Sequence, residues 1–366
     1  MASVSGYSRR RAARNPKNQK LECTKTSTFV MKATPEPSSR NIGPCAICGH
    51  ESLDTFCVRE MQIGLREAFE YGRCNRCEAI MRLSKINDMT RYYPKNYYAF
   101  ADGGDQPLAR RAWSWLRNRR DRALLTKSLD PIGRIFRRKS QESIAIYRIL
   151  GKCHINLSSS ILDVGCGSGH LLQRMAEVGF QNLLGIDLFV PETTSLSSKN
   201  PKIVRGTLSQ LRGRTFDLIM MHHSFEHNED PISELRLARE LLSRNGSILV
   251  RQPVSDSDAF RKYGSNWFQL DAPRHAVLHS VTSMKLIVQQ CGLTIKDIVW
   301  DSTDQQFWAS EQYARGVSMY DEHSYLRNPE HSLFSPRQIL KWKREASMLN
   351  KNGVGDQAAF YIKRDE

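Results

Sequence analysis

Four cysteines stand in two close pairs. Cys45-Ala-Ile-Cys48 and Cys74-Asn-Arg-Cys77 are C-x-x-C knuckles with 25 residues between them. Each knuckle directs two thiolates at one point, and four thiolates suit a tetrahedral Zn2+ with Zn–S of about 2.3 Å. Such an ion staples a segment that cannot fold on its own core. Gly43, Gly49 and Gly72 flank the knuckles. The set leaves no open coordination position, so the expected zinc is structural rather than catalytic. His50 lies outside the paired pattern, and Cys57 reads as a core residue. The nine cysteines are odd in number and unevenly spread. That argues against a secreted disulfide framework and for metal binding in a reducing compartment.

A second group is the run Ser160-Ile-Leu-Asp-Val-Gly-Cys-Gly-Ser-Gly169. Its apolar residues read as a buried strand. Gly165, Gly167 and Gly169 then permit a tight turn and close backbone approach to a ligand. Leu171 to Val178 continue as a helix, and Leu183-Leu-Gly-Ile-Asp187 as a strand ending on an acid. Asp187 stands 20 residues beyond Gly167, a spacing that suits a carboxylate accepting two ribose hydroxyls. The loop is G-x-G-x-G, not the G-x-G-x-x-G of dinucleotide folds.

A third group is histidine-rich. The apolar strand Phe216–Met221 runs into His222-His-Ser-Phe-Glu-His227, and a helix capped by Asp230-Pro231 follows. That helix is expected to end at Asn245-Gly246, before a fifth strand Ile248–Val250. The turn then falls at the carboxyl end of the sheet, where open α/β folds bind ligands. Glu226-His227 suits proton removal from an acceptor near neutral pH, and His275, in Leu270-Asp-Ala-Pro-Arg-His275, is a second candidate. His154 and His279 read as ordinary surface or core histidines.

These groups need elements to hold them. From Ser158 onward short apolar strands alternate with amphipathic helices, the pattern of a parallel α/β sheet. The expected organisation is a disordered basic tail over 1–40, a zinc-binding module with a Tyr-rich segment over 41–100, a basic helical linker over 101–150 and a cofactor-binding domain over 151–366. Apolar content of 40% supports a real core. No run of 18 apolar residues suggests a membrane span, and the first residues do not read as a secretory signal.

The Asp163-anchored glycine loop, the acid after the second strand and the Phe216-Asp217 strand together resemble the class I S-adenosylmethionine-dependent methyltransferases, over roughly residues 155–300. The resemblance implies a Rossmann-like seven-stranded sheet, preceded here by a small zinc-ribbon-like module. It implies that Asp163 lies near the methionine amino end and that Gly165, Cys166, Gly167, Ser168 and Gly169 line the methionine side. Asp187 would bind the ribose and Leu188 would lie beside the adenine, with His222 also among the cofactor residues. The order of Cys module, Tyr-rich segment, cofactor domain and the run Trp267–His275 is similar to sugar C-methyltransferases and to UbiG-like small-molecule enzymes. In the sugar enzymes a pair like Glu226-His227 bears on catalysis. Their long extra C-terminal domain has no counterpart here, so O-methylation is expected as much as C-methylation. The acceptor is expected to be a sugar-like molecule, a glycan or another small molecule.

No Asn/Asp-Pro-Pro-Tyr/Phe motif follows the fourth strand, which disfavours amino methylation of DNA bases. No cysteine follows the fourth or fifth strand before Cys291, so a thiolate adduct at pyrimidine C5 lacks its nucleophile. Charge supplies the rival readings. Residues 1–40 carry nine basic and two acidic side chains, and residues 109–140 eleven and two, which together hold the whole net charge of +16. The stretch Arg110–Arg120 mixes Trp113 and Trp115 with arginines. That composition fits a solvated helix packed through Trp113 and Leu116, a peripheral contact with an anionic membrane or glycan, or phosphate contacts. The expected enzyme is cytoplasmic or peripheral to the membrane and acts on a small molecule; an RNA methyltransferase and a non-catalytic binding protein are the alternatives.

Overall fold

The structure is a computed structural model that describes residues 43–93, 111–126, 145–190 and 200–365. The tail 1–40, Tyr97, Tyr98 and residues 127–144 lie outside the described residues. Everything described belongs to one compact unit, residues 33–366.

The main sheet has seven strands in the order β10-β11-β8-β7-β4-β5-β6. They are β4 (Ser160–Val164), β5 (Asn182–Asp187), β6 (Lys202–Arg205), β7 (Phe216–His222), β8 (Leu242–Pro253), β10 (Leu293–Trp300) and β11 (Gln357–Arg364). The run from β6 to β8 is parallel, and β11 is antiparallel to both its neighbours. The chain winds outward from β4 to β6 and then crosses to β7 on the other side of β4. The β4/β7 boundary is thus the topological switch point, where such sheets open a ligand crevice at their carboxyl ends. The central strands are continuous apolar runs because helices cover both faces. Ile161, Leu162, Leu218, Ile219 and Met220 are fully buried.

Eight helices are described: α1 (Arg111–Leu125), α2 (Ala145–Gly151), α3 (His170–Val178), α4 (Pro231–Leu241), α5 (Asp258–Tyr263), α6 (Val281–Gln290), α7 (Gln305–Ala314) and α8 (Pro336–Lys351). Asp230 caps α4 as its spacing predicts, accepting from the Ser233 N–H at 3.1 Å with Pro231 in the first turn. The end of α4 differs from the sequence expectation. The helix stops at Leu241, because Leu242 turns extended, pairs with Phe216 and buries itself. Asn245-Gly246 lie inside β8.

A second, four-stranded antiparallel sheet carries the cysteine knuckles. Its order is β1 (Leu53–Arg59), β2 (Ala68–Cys74), β3 (Ile80–Arg82) and β9 (Val277–Leu278). The first three strands come from the cysteine segment, and the fourth comes from the chain just past His275. Cys45, Cys74, Cys77 and Met81 belong to the same buried cluster as Leu162, Phe225 and Val250 of the main domain. Cys57 is not a core residue: alternation on the outer strand β1 turns it to the exposed side.

Helix α1 docks on α3. Asp121 is fully buried and paired with Arg120 and Arg174, each at 2.7 Å. Arg122 donates to the Val178 carbonyl, satisfying a free acceptor at the end of α3. Part of the basic stretch is therefore structural. Leu116 is half-buried, and Trp115 is exposed beneath the Arg119 guanidinium.

Candidate functional site

The cysteine knuckles converge. Cys45 and Cys77 sulfurs are 3.6 Å apart and those of Cys48 and Cys74 3.5 Å, close to the edge of about 3.8 Å in a tetrahedron with metal–sulfur bonds of about 2.3 Å. Gly49 (φ +69°) and Glu78 (φ +59°) turn the chain after each knuckle. The Arg76 and Cys77 N–H groups point at the Cys74 sulfur. The Cys77 contact draws the Cys45 thiol down to about 5 against the opposing effect of burial. This donor set fits a closed, four-sulfur ion site.

At the switch point the glycine loop follows β4. Gly165, Gly167 and Gly169 all have positive φ. Asp187, at the end of β5, accepts from the Gly167 N–H at 3.0 Å and the Phe189 N–H at 2.7 Å. One carboxylate thus ties the loop to the residues after β5. Leu188 and Phe189 project outward, 53% and 44% exposed. Asp163 is buried beneath the loop. Desolvation, with Asp187 adding to it, raises its carboxyl from 3.8 to about 8. The Ser168 hydroxyl and both ring nitrogens of His222 are buried with no hydrogen-bond partner among the described residues. Unpaired buried polar atoms are costly. Around a glycine-lined crevice they fit a polar ligand such as S-adenosylmethionine. Cys166 is packed close to Gly185 and has a raised pKa from burial, so it is a lining residue and not a nucleophile.

The histidine-rich turn after β7 adjoins this crevice. His223 has φ +50°, a strained value for histidine that occurs at functional turns. The turn places Glu226 fully inside. His223 Nδ1 lies 3.3 Å and His275 Nε2 3.8 Å from Glu226 Oε1. Burial opposes ionisation of Glu226, yet the contact with His223 above all brings its carboxyl down to about 2. Burial, reinforced by His227, lowers His275 to about 4, so it is neutral. The His227 and His275 rings meet edge to face at 4.8 Å. The three predicted acceptor-side residues, Glu226, His227 and His275, therefore form one cluster although 47 residues of chain lie between His227 and His275.

Tyr93 joins the two halves of the crevice. Its hydroxyl is 3.2 Å from His227 Nδ1, and its ring stacks on Phe189 at 4.9 Å. Of the Tyr-rich segment, Tyr92 is instead a core residue bonded to Glu67. His279 is buried against Phe225, and His154 is exposed.

Supporting residues escaped sequence reasoning. Arg274 is wholly buried and bonded to Asp271 at 2.5 Å, to Glu60 at 3.1 Å and to the Tyr92 carbonyl at 3.2 Å. Glu60 in turn accepts the Ile63 and Leu65 N–H groups. Tyr71 of β2 donates to the His275 carbonyl at 2.8 Å. Arg251 bridges His223 and Asp301. The Pro-Arg-His run is the one sequence signal for any of these; Glu60, Tyr71 and Arg251 carry none.

The sheet order, the glycine loop and the acid after β5 define an open α/β domain with a ligand crevice at its switch point. Residues 120–298 match the family model described as a methyltransferase domain. A tRNA U34 carboxymethyltransferase of Aeromonas hydrophila is 29% identical over 167 residues, covering 40% of this chain and 49% of that protein. The chain thus spans about half the length of that relative. A ubiquinone biosynthesis O-methyltransferase of Pseudomonas fluorescens is 28% identical over 161 residues, 40% of this chain and 69% of that one. Among solved structures, the cyclopropane synthase MmaA2 from Mycobacterium tuberculosis aligns at a TM-score of 0.41 and 14% identity, over 67% of this chain and 97% of that one. Among the described residues no helix is long and apolar enough to cross a membrane.

Proposed function

We propose that the chain methylates an oxygen of a small hydroxylated acceptor, sugar-like or otherwise, with S-adenosylmethionine as donor. The observation that carries this reading is the adjacency of two groups on neighbouring strands. The donor-side residues Asp163, Ser168 and Asp187 lie beside β4, and the Glu226–His227–His275 cluster lies beyond β7, its direct neighbour. Bound there, S-adenosylmethionine supplies an electrophilic sulfonium methyl group. Asp163 receives the methionine ammonium, the Gly165–Gly169 backbone lines the methionine arm, and Asp187 takes the ribose hydroxyls with the acceptor capacity its two N–H bonds leave free. Leu188 and Phe189 flank the adenine. The cluster faces the acceptor hydroxyl, and Tyr93 covers both. The four cysteines hold a structural Zn2+.

The match to an O-methyltransferase supports oxygen as the acceptor atom. A second reading, methylation of RNA, is favoured by the tRNA-modifying relatives and by the basic stretch. One experiment separates them. Labelled S-adenosylmethionine is incubated with the full chain and either a small-metabolite extract or total tRNA. Label in metabolites supports the main reading, and label confined to tRNA overturns it. Calorimetry that finds no S-adenosylmethionine binding overturns both and leaves a binding protein that keeps the fold.

A further inference from the structure

The geometry points to a divalent cation held by Glu226, His227 and His275. The Gln269 carbonyl lies 2.7 Å from His275 Nδ1, and the Arg274 carbonyl 3.0 Å from His227 Nδ1. A carbonyl only accepts, so each Nδ1 carries the hydrogen, and in the neutral imidazole Nε2 is then the atom with a lone pair. His275 Nε2 then looks at carboxylate oxygens of Glu226 and Asp271, both 3.8 Å away. Lone pair faces lone pair, with no hydrogen between them.

The same accounting sets His223 apart. Arg251 Nη1 lies 2.7 Å from His223 Nε2 and has only protons to offer, so Nδ1 carries the hydrogen that faces Glu226. His223 thus positions the carboxylate and is not a third imidazole donor. Both Glu226 oxygens are completely buried and lack a properly aligned hydrogen bond among the described residues. An ionised carboxylate in that state is costly unless a cation is at hand.

One donor atom from each of Glu226, His227 and His275 lies within 4.8 Å of the others. Histidines that bind metals donate their other ring N–H to a carbonyl or carboxylate, the arrangement found at both His227 and His275. Two imidazoles and one carboxylate suit manganese, iron, cobalt or zinc better than calcium, and leave coordination positions open. That contrasts with the closed four-sulfur site.

The inference deepens the methyl-transfer reading and rests on it for its chemistry. A cation here lowers the pKa of an acceptor hydroxyl bound in an open position. The O–H bond breaks and its proton leaves to solvent. The resulting oxyanion forms a C–O bond to the donor methyl as the C–S bond breaks, leaving a neutral thioether.

The test is a Mn2+ titration of the full chain, followed by the electron paramagnetic resonance signal of free Mn2+, with S-adenosylmethionine affinity measured alongside by calorimetry. The expected result is saturable binding of one Mn2+ per chain. Glu226→Gln and His275→Asn should weaken it at least tenfold while S-adenosylmethionine affinity is retained, which shows that the variants are folded. His223→Asn should weaken it about 10–100-fold, the usual effect of losing a partner that orients a ligand. Absence of saturable Mn2+ binding to the wild-type chain overturns the proposal, as does binding unchanged in both Glu226→Gln and His275→Asn. Should Glu226→Gln not fold, His275→Asn and His227→Asn decide. Mn2+ binding without S-adenosylmethionine binding would keep the cation site and remove the methyltransferase reading; the opposite pair of results would do the reverse.

Discussion

Asp163 carries two opposite costs. Burial, with Asp187 adding to it, raises its carboxyl to about 8, so without ligand the folded chain keeps a proton there that the unfolded chain releases above about 4. Stability from this group is full below the unfolded value, falls as pH rises, and is lost once pH passes about 8. A bound ammonium reverses the preference by favouring the carboxylate. Two outcomes are expected. Calorimetry should show S-adenosylmethionine affinity strengthening as pH rises through about 8, and Asp163→Asn should flatten that rise while making the free protein more stable above it. Asp187→Ala should weaken S-adenosylmethionine binding at least tenfold, since it removes the proposed ribose acceptor and releases the Gly167 and Phe189 N–H groups. Unchanged affinity would remove Asp187 from the site. On the acceptor side, His227→Ala should lower turnover by more than tenfold with little change in donor affinity, and normal turnover would dismiss the cluster from the chemistry.

At the scale of elements, the turn from β4 into α3 is set by contact as well as by conformation. Gly169 has φ +77°, and a Cβ there would sit 2.0 Å from Ile203 Cδ1 on β6. Gly169→Ala should therefore destabilise the protein by about 1–3 kcal/mol, from left-handed strain and overpacking together, read as a lower denaturant midpoint at unchanged slope. Strand β9 has a comparable role on the other side. It pairs with β3 directly after His275, while Tyr71 and Arg274 hold the backbone on either side of that residue. The cysteine sheet thereby positions one of the acceptor-side histidines. On α1, Arg120 and Arg122 are committed to Asp121 and to the end of α3. A test of anionic docking by charge removal belongs on the more exposed Arg117.

For the whole molecule, the sharing of one buried cluster by the knuckles and the main sheet has a thermodynamic consequence. Removing the ion from the four-sulfur site, or replacing Cys45 with Ser, should lower the midpoint of a single cooperative transition rather than create a separate early one. Two resolved transitions in calorimetry would show that the cysteine sheet melts on its own. Metal analysis of the purified chain should find zinc, and Cys45→Ser should lose it.

The parts written locally were legible from residues alone. The knuckles, the glycine loop, the Asp187 spacing and the Asp230-Pro231 cap each depend on neighbours within a few residues or on one βα unit. The seven-stranded sheet was implied by the family resemblance those motifs carry, and the nearness of Glu226 to His227 by their adjacency in the chain. Tertiary structure decided what distant pairing controls. Leu242 left its helix because Phe216 offered a strand partner. Cys57 faced outward because strand alternation on β1 gave the inner face to Val58. His275 came to Glu226 because β9 closes the cysteine sheet, and its tautomer was set by the Gln269 carbonyl. Charge, protonation and unpaired lone pairs are properties of an environment assembled from residues far apart in the chain, so sequence named the groups while only their packing determined what they lack.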